Sequence, residues 1–248
     1  MQLVHHLRGC LGIPLAAAGA FTLLVLCSSG TRGTAATDTA PASPAWQSDE
    51  PSGGWDNDGF YVFNNVWNKK SKPGPQHIWA NSYKDWGVTS TQSPSTAVRA
   101  YPCVQKNLKE PVKASAFTKM VSTYVEQGPE KGTYNVSYDL WFNGLKKEAM
   151  FWVDSDHWGD LGKPLETVTL GGKKWRVYHE GGYTRFQLDK TEKSGTVDLL
   201  AGIKYMIGKG WLAPEDLAWQ INFGFEICST ENQPLEFKVS DYSLDTAW

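Results

Sequence analysis

Between residues 133 and 154 the chain alternates as half-buried β-strands do. In 133–142 the even positions are Tyr134, Val136, Tyr138, Leu140 and Phe142, while the odd ones are Thr133, Asn135, Ser137, Asp139 and Trp141. Parity then reverses: Ala149, Phe151 and Val153 are apolar, and Glu148, Met150, Trp152 and Asp154 share the other face. Asn143-Gly144 between the two runs is a strong short-range hairpin signal. A two-residue turn pairs Phe142 with Leu145 and predicts Asp139 directly opposite Glu148. A third run turns Ile221, Phe223, Phe225 and Ile227 one way and Gln220, Asn222, Gly224 and Glu226 the other. Three strands thus each carry an apolar side and a side bearing an acid. Residues 196–209 break the pattern: Leu199, Leu200, Ile203, Met206 and Ile207 fall at helical spacing, with Gly210 placed for a C-terminal cap.

The remainder of the body reads as short strands separated by Gly, Pro, Asn and Ser, without an internal repeat. The predicted fold class is all-β: a β-sandwich of two antiparallel sheets with one helix packed on its back. Ahead of it, the run from Leu11 to Cys27 holds no charge and ends in Thr34-Ala35-Ala36, which predicts a signal peptide over residues 1–36 and a secreted, extracellular protein. Residues 37–54, rich in Pro, Ser, Thr, Ala and Gly, read as a linker, leaving 55–248 as the folded domain.

Composition narrows the function. The chain has 24 basic and 26 acidic side chains, and without residues 1–36 these become 22 and 26. That balance argues against nucleic acid and against a charged membrane surface as partners. All 12 Trp lie beyond residue 36, an excess suited to a flat-faced ligand. Cys103 and Cys228 remain, enough for one disulfide in an exported protein or for two free thiols. His77, His157 and His179 are far apart and without Cys neighbours, so no metal and no cofactor are expected.

A solvated outer face dotted with charge is the plain alternative for the acid-bearing side. Trp141, Met150 and Trp152 on that same face weigh against it, because exposure does not favour them. Apolar rings beside close carboxyls describe a groove that stacks on a sugar and cuts it, and close acids titrate abnormally. Trp79, Trp86 and Trp158 join Trp141 as stacking candidates. Asn135-Val136-Ser137 is also a glycosylation sequon.

Taken in order, several blocks resemble glycoside hydrolase family 12, secreted β-1,4-glucanases and xyloglucanases with a β-jelly-roll fold. They are Asn64-Asn65-Val66-Trp67, Tyr101-Pro102-Cys103-Val104, Ser137-Tyr138-Asp139-Leu140-Trp141, Glu148-Ala149-Met150-Phe151-Trp152, Trp175-Arg176-Val177-Tyr178, Gly210-Trp211-Leu212 and Gly224-Phe225-Glu226. The resemblance spans roughly 55–245 and implies a retaining endo-β-1,4-glucanase whose partner is a β-glucan polysaccharide. It implies Glu148 as nucleophile, Glu226 as general acid and then base, and Asp139 as an assisting acid. Asn65, Trp67, Met150, Trp152 and Trp141 become substrate contacts, and Pro164 a residue lining the groove. Cys103 and Cys228, unlike the family's usual N-terminal pair, would bridge strands flanking the site. The protein is expected to act as a monomer. A non-catalytic glycan-binding sandwich and a jelly-roll xylanase are the competing readings.

Overall fold

Alternating side chains can bury only one face of a strand, so two such sheets must close on each other. A computed structural model describes residues 43–158 and 162–248, and the expected leader falls outside those residues. The strands are β1 (Trp46–Ser48), β2 (Gly54–Asn57), β3 (Phe60–Phe63), β4 (Gln76–Ser82), β5 (Asp85–Ser90), β6 (Cys103–Lys113) and β7 (Lys119–Gln127). They continue as β8 (Thr133–Phe142), β9 (Lys147–Asp156), β10 (Glu166–Leu170), β11 (Lys173–Glu180), β12 (Tyr183–Leu188), β13 (Ser194–Asp198), β14 (Leu217–Ser229) and β15 (Leu235–Ala247). Six form one sheet in the order β1-β4-β5-β15-β7-β13. Nine form the other, β10-β11-β12-β9-β8-β14-β6-β3-β2. This is the expected jelly-roll sandwich, with one addition: β12 runs parallel to β9, while the other pairings are antiparallel.

The apolar faces meet between the sheets. Phe225 of β14 lies edge-on to Trp86 of β5, and Phe223 stacks on Tyr242 of β15. The helix α1 (Leu199–Gly208) buries Leu199, Leu200, Ile203 and Met206. It packs on the nine-stranded sheet's core side, where Gly202 lets it approach Phe151: a Cβ there would sit 2.4 Å from the ring. The helix starts later than its spacing predicts, because Thr196 and Val197 pair with Thr123 and Ser122 in β13. Asp198 then caps it, accepting from Ala201 N–H at 3.0 Å.

Four expectations change. The linker expected as far as residue 54 is folded from Trp46, where β1 pairs with β4. The β8–β9 connection holds four residues, so Trp141, not Asp139, faces Glu148, and Asp139 faces Met150. Asn143 is drawn out of a two-residue turn by its own contacts: its amide donates to Asp216 and its Oδ1 accepts from Leu217 N–H. Parity survives a two-residue change in register, so the acids still share a face.

Farther along, a bulge between Val136 and Ser137 places Asp154 opposite Val136. Asp154 therefore leaves the acid face and turns inward to Lys193 at 2.8 Å, which also lies 3.6 Å from Glu126. Finally, Cys103 and Cys228 are buried free thiols. Cys103 pairs with Gly224, four residues from Cys228 along β14. That is about 13 Å of strand, against a limit near 7 Å for bridged Cα atoms. Burial pushes both thiols well above their ordinary range. Protein freed of its leader is expected to take up two alkyl groups after unfolding without reductant, and none when native. An intact mass two hydrogens short, with no adduct, would restore the disulfide.

Candidate active site

The outer face of the nine-stranded sheet is a floor that the second sheet does not cover, yet its central side chains exclude water. Asp139 and Glu148 are each 5% exposed, and Asn135, Ser137, Met150 and Trp152 are buried beside them. Side chains this enclosed on an uncovered face mean that the sheet wraps around them as a trough. Glu226 enters from β14, Asp139 from the intervening β8, and Glu148 from β9.

Each acid has distinct surroundings. Asn135 donates to Glu226 Oε2 at 2.6 Å. Burial still pushes Glu226 up to about 7, against the pull of Asn135 and of the Arg185 charge. Trp141 Nε1–H donates to Asp139 Oδ2 at 2.7 Å. Burial, then the Glu226 charge, raises Asp139 above the usual carboxylate range, partly offset by Trp141 and Asn222. Glu148 is raised by burial and by both neighbouring acids, with no donor working the other way. No hydrogen bond joins Asp139 to Glu148; the diagonal register leaves them as repelling neighbours rather than a bonded pair. Buried Asn135 Oδ1, Ser137 Oγ, Asp139 Oδ1, Glu148 Oε2, Trp152 Nε1, Gln187 Oε1 and Asn222 Oδ1 have no partner within the described residues. Orphaned polar atoms so concentrated suit a ligand rich in hydroxyl groups.

Comparison with known proteins gives the same direction. No family model matches the chain. Endoglucanase S of Pectobacterium parmentieri is 28% identical over 220 residues, covering 76% of this chain and 82% of that protein. A xyloglucan-specific endo-β-1,4-glucanase A of Emericella nidulans is 25% identical over 250 residues, covering 90% of this chain and 99% of that one. Among solved structures, the xyloglucanase domain of the effector NopAA from Sinorhizobium fredii, in complex with cellobiose, superposes with a TM-score of 0.73 at 25% identity. It covers 82% of this chain and 100% of that domain. A family 12 xyloglucanase from Bacillus licheniformis gives 0.72 at 23%, with the same coverage. The chain is a glycoside hydrolase with the family 12 fold.

The hydrolase gathers most of the residues singled out by sequence. Trp141, Met150 and Trp152 lie among the carboxyls. Asn65 reaches the Cys103 thiol, itself a neighbour of Asp139, and is held in a left-handed conformation (φ 44°) by donating to Tyr101 O at 3.0 Å. Trp67 stands 48% exposed two residues on. Trp158 packs on Trp152 with ring centroids 4.8 Å apart.

Others fall elsewhere. Trp86 is core. Trp79 is on the outer face of the six-stranded sheet, because Ile78 and Ala80 take the core side of β4, and its ring lies across Gly87. Pro164 is half-buried two residues ahead of the edge strand β10. Asn135, the sequon residue, is fully buried and engaged with Glu226.

Sequence reasoning passed over β12. Tyr183, Arg185 and Gln187 alternate with Thr184, Phe186 and Leu188, and register places the odd set beside Glu148, Met150 and Trp152. The same parity that found the acids was available there.

Proposed function

We propose that the protein is a secreted endo-β-1,4-glucanase that cleaves internal bonds of cellulose, mixed-linkage glucan or xyloglucan with retention of configuration. The observation that carries this reading is the three-acid trough: Glu148 and Glu226 reach one water-poor floor from strands on either side of Asp139, with tryptophans beside them. The relatives named for β-1,4-glucan and xyloglucan hydrolysis support the substrate class. The charge-free run before residue 28 supports export. A chain-binding trough needs no second subunit, so the monomer is the expected working unit.

In this mechanism Glu148 attacks the anomeric carbon while Glu226 protonates the departing oxygen; Glu226 then takes a proton from the water that releases the sugar. Asp139 sets the charge available to Glu148. Burial and the neighbouring acids raise Glu148, whereas the rise of Glu226 is partly offset by Asn135 and Arg185. A bound chain favours the protonation states that the reaction needs. Positive charge developing at the anomeric carbon favours the Glu148 carboxylate, and an ether oxygen displacing water beside Glu226 favours its protonated form.

Initial rates of reducing-end release on xyloglucan, carboxymethyl cellulose, mixed-linkage β-glucan and xylan test the substrate class. Hydrolysis is expected on at least one β-1,4-glucan, with viscosity falling ahead of reducing-end release and the β-anomer appearing first by proton NMR. Cleavage confined to xylan, or an α-anomer as first product, would overturn the respective part of the reading.

A further inference from the structure

Arg185 is a buried cation, 7% exposed, on the floor of the trough. Its position follows from the parallel register of β12 on β9: Tyr183 lies beside Glu148, Arg185 beside Met150, and Gln187 beside Trp152. Two rings hold the guanidinium. Its Cζ lies 3.9 Å from the centre of Tyr178, which is its partner on β11, and 4.7 Å from that of Trp152. A planar guanidinium stacks on aromatic faces and stays charged at any working pH, so this is a charge fixed in place.

The charge stands among acids. Glu226 meets Asp139 from β8, Glu148 from β9 and Tyr183 from β12, while Tyr101 approaches from just ahead of β6 and Cys228 from its own strand. None of these is positive. Arg99 lies toward Cys228 and is committed to Lys72 O and Ser93 Oγ, at 2.6 and 2.9 Å. Beside the Asn135 hydrogen bond, the positive charge that draws on Glu226 is Arg185, and the same charge acts on Tyr183.

We propose that Arg185 is a positioning residue: clamped between Tyr178 and Trp152, it holds a fixed positive charge against the carboxyl cluster and thereby sets the alkaline edge of activity. The inference rests on reading Glu226 as the general acid. A general acid must carry its proton in the free enzyme, so kcat/KM falls as pH rises through its titration. A nearby positive charge favours the carboxylate and brings that fall to lower pH. It also makes the proton leave readily when Glu226 delivers it to the departing oxygen.

The test compares pH profiles of kcat/KM on a soluble β-1,4-glucan for wild type, Arg185→Met, Arg185→Gln and Arg185→Lys. Methionine keeps an apolar stem between the rings, glutamine keeps a planar head, and both remove the charge. The alkaline midpoint of each neutral variant is expected to move up by roughly one pH unit, while lysine keeps it near wild type. A residue that only packed the rings would lower rate and melting temperature without moving the midpoint. A folded neutral variant with the wild-type midpoint therefore overturns the inference, whatever its rate. Failure of the underlying reading looks different: Glu226→Gln would then hydrolyse glucan at the wild-type rate.

Discussion

Glu148→Gln and Glu226→Gln are each expected to lower kcat on β-glucan by at least about 10³-fold while leaving the fold intact. Glutamine matches the shape of glutamate and removes a charge that burial disfavours, so melting temperatures should stay level or rise. The two losses are distinguishable with an external nucleophile. Azide added to Glu148→Gly should restore turnover and yield an α-glycosyl azide, because it attacks from the face the glutamate had occupied. Added to Glu226→Ala, on a substrate with a good leaving group, it should yield the β-glycosyl azide from the covalent intermediate. The exchange of these two products would reverse the roles of the glutamates. Near-wild-type hydrolysis by both glutamine variants would leave a glycan-binding sandwich as the better account.

The second large effect is on stability. Phe223 projects from β14 into the inter-sheet core, opposite the face that carries Glu226. Its ring stacks on Tyr242 at 5.5 Å and packs at 4.6 and 5.3 Å on Tyr138 and Tyr124. Tyr138 is further pinned by donating to Ser122 Oγ at 2.9 Å, so the surroundings cannot collapse freely into a void. Phe223→Ala should cost about 3–5 kcal/mol. For a domain of this size that lowers the melting temperature by roughly 6–20 °C, measurable by scanning calorimetry. A fall of less than about 3 °C would mean that the three tyrosines close over the gap.

Parity carried the sequence reading a long way. It separated Asp139, Glu148 and Glu226 from the core without any contact information, and the two-sheet architecture followed from the same alternation. What parity cannot count is an inserted residue. The bulge at Val153 turned Asp154 from the trough to the interior, where Lys193 receives it. Nor does a turn signal state its own loop length: Asn143 and Gly144 have the left-handed dihedrals that their residue types suggest, yet Asn143 is tied to Asp216 and Leu217, 73 and 74 residues away. Long-range partners decided that register.

The cysteine pairing failed for a related reason. Two cysteines on neighbouring strands pair only if register aligns them, and Cys103 meets Gly224 instead. Trp79 and Trp86 show the limit of counting aromatics. They come from adjacent strands of the six-stranded sheet, one on its outer face and one in the core, and composition treats them alike.

Strand order has a consequence for how the molecule is assembled. The last two strands in sequence are not peripheral: β14 lies between β8 and β6, and β15 between β5 and β7. While a chain is being synthesised, β6 and β8 cannot find their shared neighbour until residues 217–229 exist, and β5 and β7 wait still longer. Four long hydrogen-bonding edges stay open through most of translation, a state prone to sticking to other chains. Completion then requires pairings that span much of the sequence, the slowest kind to form. The strand that delivers Glu226 is thus also the one that closes the larger sheet, so the trough and the sheet around it come into being in the same event.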